Sequence, residues 1–565
     1  MTTRTAFGAA TEVAAPTHPA PLPRLVRRLA GEGISWVVVA AGIAVLVAWP
    51  IGRLLYEAVR TPGVFHQIWA DPEILRAIRG TVVTSLGATA MALLVGGGAA
   101  IAFWRLRVAG QQWLTAGLLL PVLVPPFVSA LSVTQAYTAA GLLDHLLGIR
   151  ADWLFGPAGT TLVLGVQQVP IAFLVLAAAI RTRGGADAER AARAAGANPL
   201  TCLFTITLPL LRPALLAASA LCFIAAASDF GVPAVLAIPA RYPTVTTEIY
   251  RAMSFSSSGL ASPVALSTLL IVVALVVFAV AGRLTNRITA TGRHSSPLVV
   301  RGRPWHGVVS VVLAGYLLVA NVIPFLGLLS VALTRVYGES PVPAHWGLDH
   351  LREAVSGAAG GALARSALLS LAAASVLCVA GVLAGSVALR RGGRIVSTLI
   401  AIPYAVPGSA VAVAILLAFG RWFYGGLVII ELAYLARFWA LAQQPIGAAL
   451  SHIGPDPMRA ARACGASAWR AWWTAIWPSI RPSVFAGWLL VFLTCLHELT
   501  VSSLLYVPGK ETIGVVVLNA ELAGDLAATS AIALVLTLVV LACAVPLFLS
   551  RRLRGALGFS AGGMW

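Results

Sequence analysis

The chain has 565 residues, of which 59% are hydrophobic and only 10% charged, and its 39 Lys and Arg outweigh 20 Asp and Glu for a formal net charge of +19. A soluble globular chain carries about 25% charged residues; too few are present here to cover a water-facing surface, so lipid is the expected solvent for most of the sequence. The arginines are scattered between apolar stretches rather than gathered in one basic patch, which argues against a nucleic-acid partner and for membrane orientation.

Residues 1–30, rich in Ala, Pro and Thr and then basic, read as a disordered cytoplasmic tail. Apolar stretches of the roughly 20 residues needed to cross a bilayer follow at Ile34–Tyr56, Val82–Trp104, Trp113–Tyr137, Thr160–Ile180, Pro213–Leu236 and Pro263–Ala281. The first is of full span length with no small-residue cleavage site after it, and reads as an uncleaved helix. A polar linker, 283–306, leads to a second set at Val308–Leu333, Ala367–Leu389, Val396–Phe419, Leu427–Leu450, Val484–Leu505 and Ala528–Leu549, and a short tail at 556–565. Unbroken apolar length favours helices over a β-barrel. The arginines of alternate loops, among them Arg105, Arg283, Arg394 and Arg551, place those loops and both termini in the cytoplasm; the opposite loops hold acids such as Asp71, Asp144, Asp349 and Asp525. The six cysteines show no metal-ligand spacing and read as small packing residues.

The two sets are copies of one unit. Ala191 opens A-A-R-A-A-G-A-N and Ala460 opens A-A-R-A-C-G-A-S. Gly196, Pro209 and Pro213 recur as Gly465, Pro478 and Pro482, and Asp229 recurs as Glu498, all at the same displacement. Pro121 and Pro125 are echoed by Pro403 and Pro407. The expected fold is therefore all-α and polytopic: about twelve transmembrane helices in two homologous halves, 31–282 and 307–555, related by a pseudo-two-fold along the membrane normal.

Each repeated segment falls in a cytoplasmic loop. Residues 186–198 and 456–468 are rich in Ala and Arg, with Asp187 and Asp456 where a helix start favours acids. Gly196 and Gly465 can end such a helix, and Pro209 and Pro478 are expected to break the chain before the next span. A rigid basic knuckle suits a docking partner, and its duplication weighs against a merely solvated loop.

These residues resemble the cytoplasmic loop of permease subunits from binding-protein-dependent ABC importers, whose pattern is E-A-A-x3-G-x9-I-x-L-P. The first loop supplies Ala191, Ala192, Gly196, Ile206, Leu208 and Pro209; the second supplies Ala460, Ala461, Gly465 and Pro478. Both depart at the glutamate, where Arg190 and Arg459 stand, with Glu189 one place earlier in the first loop. The resemblance implies that these segments, with Arg193 and Arg462, are coupling helices, each seated in one of two cytoplasmic ATPase subunits that carry ATP and Mg. It further implies a solute-binding protein at the outer face and no need for a second permease subunit. Asp229-Phe230-Gly231 with Thr246–Tyr250, and His497–Leu505 with Gly509–Thr512, are similar to segments of fused ferric-iron permeases, which also resemble thiamine, polyamine and aminophosphonate permeases.

Acids inside spans are functional candidates by default, so Asp229 and Glu498 either line the pathway or make structural hydrogen bonds. Pro125 and Pro407 mark kinks that either line the pathway or merely pack. A phosphate-cradling G-x-x-x-x-G-K-[ST] loop, an H-E-x-x-H and a G-x-S-x-G are all missing from the sequence. A transport subunit in the bacterial inner membrane is expected, not an enzyme and with no cofactor or metal of its own. An ion-gradient-driven secondary transporter is the alternative, with a membrane-embedded enzyme or scaffold behind it.

Overall fold

The computed structural model describes residues 32–549, apart from 107, 184–185, 256–259, 290–304, 341, 390–392 and 454–455. The expected tails 1–30 and 556–565, and most of the linker, therefore lie outside the described residues. The linker's first residues, 283–289, continue the preceding helix to Thr289.

The first half comprises α1 (Ser35–Arg60), α2 (Pro72–Arg105), the bent pair α3 (Gln111–Val122 with Pro126–Leu147), α4 (Pro157–Arg183), α5 (Ala186–Ala194), α6 (Pro199–Ser228), α7 (Gly231–Leu236), α8 (Val245–Phe255) and α9 (Ala261–Thr289). The second repeats the order as α10 (Gly307–Leu333), α11 (Ala358–Ala388), the bent pair α12 (Ile395–Ala405 with Gly408–Phe423), α13 (Leu427–His452), α14 (Asp456–Ala463), α15 (Ala468–Leu496), α16 (Thr500–Leu505), α17 (Ile513–Leu522) and α18 (Leu526–Leu549). Among the described residues nine helices are long and apolar enough to cross a membrane, or eleven if each bent pair is one span. The remaining expected span is α13, 26 residues long, whose Glu431, Arg437, Gln443 and Gln444 lower its hydropathy.

Small residues set the packing. In the first half α2, α4 and α6 pack against one another, and in the second α11, α13 and α15 do the same. A Cβ on Gly96 would meet the Phe173 amide nitrogen of α4 at 3.0 Å, so only glycine allows α2 this close. The first helix of each half crosses to the other: α1 packs on the second arm of α12, and α10 on the second arm of α3. This exchange ties the halves together through apolar contacts that include Val47, Leu54 and Ala414.

Three expectations change. The third and ninth stretches are not straight spans: their arms meet at 108° and 104°, at Pro125 and Pro407, whose ψ values of 137° and 138° turn the chain out of the helix. Spans five and eleven end at Ser228 and Leu496, and short separate helices follow. The bends at Pro209 and Pro478 are absorbed rather than broken. A single π-turn, Leu203–Thr207 or Trp472–Ile476, precedes each proline within one continuous helix that starts at Pro199 or Ala468. The wider turn accommodates the missing proline amide without ending the helix.

Candidate coupling loops and the membrane-embedded acids

The two loops close with equivalent backbone hydrogen bonds. In the first, the Gly196 amide donates to the Arg193 carbonyl at 3.0 Å and the Ala197 amide to Ala192 at 3.0 Å. In the second, Gly465 donates to Arg462 at 2.9 Å and Ala466 to Ala461 at 3.1 Å. This is the paired arrangement that closes a helix on a left-handed residue, and Gly196 and Gly465 have φ of +92° and +82°. Nothing lies within 4 Å of a Cβ on either, so glycine is needed for its backbone, not for space. Asn198 and Ser467 then cap the next helix, accepting from the Thr201 and Arg470 amides at 2.7 and 3.3 Å. On each loop helix an exposed i,i+3 pair spans 3.4 Å, Asp187 with Arg190 and Asp456 with Arg459. Such exposed pairs add little stability; they fix where the guanidinium groups stand. Ala191, Ala460, Gly196 and Gly465 are exposed, while Ala192, Arg193, Ala461 and Arg462 are half-buried at the base of the knuckle.

Glu189 departs from this outward display. It is fully buried and its Oε2 accepts from Arg105 Nη2 at 2.7 Å and from the Thr207 hydroxyl at 3.0 Å. Arg105 also donates to the Pro199 carbonyl at 3.1 Å. Sequence reasoning took Arg105 only as one of many cytoplasmic arginines; nothing in its local pattern links it to a residue 84 positions on.

Asp229 and Glu498 occupy the breaks after α6 and α15, not the span interiors. Asp229 Oδ1 accepts the Val232 amide at 2.8 Å, and Glu498 accepts the Val501 amide at 2.8 Å and the Ser502 amide at 3.1 Å. Each carboxylate thus caps the short helix that follows. The next helices are capped in parallel: Thr81 of α2 accepts the Val245 amide at 2.8 Å, and Ser366 of α11 accepts the Ile513 amide at 2.9 Å. Arg437 of α13 reaches Glu498 at 3.3 Å. The sequence reading did not single out Arg437, although an arginine inside an apolar stretch was a signal available to it.

A cap needs an acceptor, not a charge. Asp229→Asn should therefore leave thermal stability and uptake within about twofold of wild type, whereas Asp229→Ala should cost about 1 kcal/mol. A melting series in detergent beside an uptake assay separates the roles, because a pathway charge would make the Asn variant as defective as the Ala variant.

A family model described as a binding-protein-dependent transport system inner membrane component matches residues 92–290 and 378–554. The chain is 27% identical over 386 residues to a ferric transport system permease protein of Actinobacillus pleuropneumoniae, covering 63% of this chain and 54% of the relative. It is 24% identical over 399 residues to a putative ferric transport system permease protein of Haemophilus influenzae, covering 66% and 61%. A molybdenum transport system permease protein of Mycobacterium tuberculosis is 31% identical over 270 residues, 47% of this chain and 96% of that protein. The chain thus spans between half and two thirds of the length of the ferric relatives it matches.

Proposed function

Because the chain belongs to the family of binding-protein-dependent inner-membrane transport components, with two matched segments that together cover more than half of it, we propose that it is the fused permease subunit of an ATP-driven importer. In this reading α5 and α14 are coupling helices, each gripped by one of two separate ATPase subunits that bind ATP and Mg. A solute-binding protein delivers cargo to the opposite face. ATP binding brings the ATPases together and turns the halves so that the pathway opens outward; hydrolysis returns it to face inward. Both termini are cytoplasmic.

The observation that carries this reading is the duplicated knuckle: two solvent-exposed helices with the same glycine closure, the same cap and the same acid–arginine pair. A secondary transporter driven by an ion gradient has no use for such a matched pair. Uptake that survives ATP depletion while the gradient persists would favour that alternative.

For cargo we propose ferric iron, supported by the names of two relatives. A second reading, an oxyanion or phosphonate, is supported by the relatives named for molybdenum and 2-aminoethylphosphonate transport. Elemental analysis of the co-purified binding protein separates the two readings: iron supports the first, and molybdenum or phosphorus the second.

A further inference from the structure

The two loop helices share a backbone but are fastened by opposite chemistry. The fixed displacement of the duplication pairs Glu189 with Met458 and Thr207 with Ile476. In the first half these positions hold the carboxylate and hydroxyl that meet Arg105, the last residue of α2, at 2.7 and 3.1 Å. In the second half Met458 packs against an apolar cluster of Ile446, Leu450, Ile476 and Ile480. Arg105 is only 8% exposed and Glu189 is fully enclosed. Glu189 Oε1 and Arg105 Nε have no hydrogen-bond partner, so the ionic version is not fully satisfied. A buried ion pair of this kind is poor value for stability compared with well-packed apolar groups, and the second half shows that an apolar seat serves at the equivalent place. Stability alone therefore does not account for the charged version. What it supplies is a directional tie: one guanidinium holds α5 (Glu189), the start of α6 (the Pro199 carbonyl) and the π-turn (Thr207) to the end of α2.

We propose that Arg105, Glu189 and Thr207 form a positioning strut that locks the first loop helix to α2, while the second loop helix rides on the apolar seat of Met458. The two loops then transmit motion unequally, the first through a contact of fixed direction and the second through one that can slide. This rests on the coupling-helix reading above, but its test is arranged so that the two can fail separately.

Hydrogen–deuterium exchange on the full-length permease alone reads the strut without any partner. Glu189→Gln and Arg105→Met should each raise exchange across 186–202 by about tenfold and leave 456–471 unchanged. The triple variant Arg105→Met, Glu189→Met, Thr207→Ile, which places the second half's residues at 189 and 207 and an apolar side chain at 105, should restore protection to within about threefold of wild type. With co-expressed ATPase, the single variants should still retain the ATPase through the second loop, yet hydrolyse ATP without dependence on the binding protein; the triple, protected but lacking the directional tie, should stay equally independent of it. A purely structural role would lower ATPase retention and hydrolysis together. Single variants that keep wild-type exchange, or a triple whose hydrolysis depends on the binding protein as in wild type, overturn the strut. Should the single variants fail to insert, the triple alone decides: protection near wild type with hydrolysis independent of the binding protein supports the strut, and wild-type dependence overturns it. Failure of the wild-type chain to bind any ATPase would overturn the coupling-helix reading while leaving the exchange comparison intact.

Discussion

Replacing Gly196 and Gly465 together by proline is expected to reduce both uptake and ATPase co-purification to background while the protein still inserts in the membrane. Both glycines hold positive φ, +92° and +82°, which the proline ring, fixed near −65°, cannot adopt. Each amide also donates to the carbonyl three residues before it, and proline has none to donate. The local penalty, about 3 kcal/mol or more at each site, falls on a loop rather than on the bundle, so spans and insertion should persist. Gly→Ala at the same places keeps the amide and meets no neighbour within 4 Å; it should cost only about 1–2 kcal/mol per site and leave partial activity. Pull-down of the ATPase from solubilised membranes, beside a surface-labelling control for insertion, gives the answer. Undiminished ATPase association in the double proline variant would count heavily against α5 and α14 as the docking elements.

Arg437→Leu should be the most damaging single change within the membrane region. It strips Glu498 of its ionic partner at 3.3 Å and leaves a carboxylate, itself 7% exposed, supported only by the Val501 and Ser502 amides and the Ser502 hydroxyl. Removing one member of a buried ion pair costs about 3–5 kcal/mol, enough to lower the melting temperature in detergent and to deplete the protein from membranes. Adding Glu498→Gln removes the unpaired charge, keeps an acceptor for the short helix α16, and should recover more than half of the loss. Gly408→Ala tests the same contact from the other side, because a methyl there lands on the Arg437 guanidinium. It should destabilise in the same direction. If Arg437→Leu melts like wild type, the pair is dispensable and the charge belongs to some other role.

Much of this architecture is legible in the sequence because duplication makes it so. The recurrence of Gly196, Pro209 and Asp229 at one displacement located both loops and the equivalence of the halves from the residues alone. The π-turns fall at that same displacement, 203–207 and 472–476, yet no residue pattern announces them; a proline in an apolar run reads as a break until the preceding turn is seen to widen. The sharp bends at Pro125 and Pro407 were legible as kinks, but their size depends on the tertiary packing of α10 on α3 and of α1 on α12. That exchange of first helices is invisible to hydropathy, which reports length and not neighbours. Asp229 and Glu498 were legible as unusual acids; that each caps a new helix depends on where the backbone stops, and a continuous apolar run hides the stop. Glu189 and Arg105 escaped for a different reason. Their pairing is a contact between distant segments, and the second half, with Met458 in place of Glu189, offers no echo of it.

The chain also carries a probe at the decisive place. Cys464 sits on the second loop beside Gly465 and is exposed, whereas Cys202, Cys222, Cys378 and Cys495 are buried and Cys543 is half-buried. Its equivalent in the first loop is the exposed Ala195, so Ala195→Cys completes a matched pair. A membrane-impermeant maleimide applied to inside-out vesicles should label both positions rapidly, and co-expressed ATPase should slow both by about tenfold or more. Labelling only in right-side-out vesicles, or rates that do not change when the ATPase is present, would contradict an importer driven through these two loops.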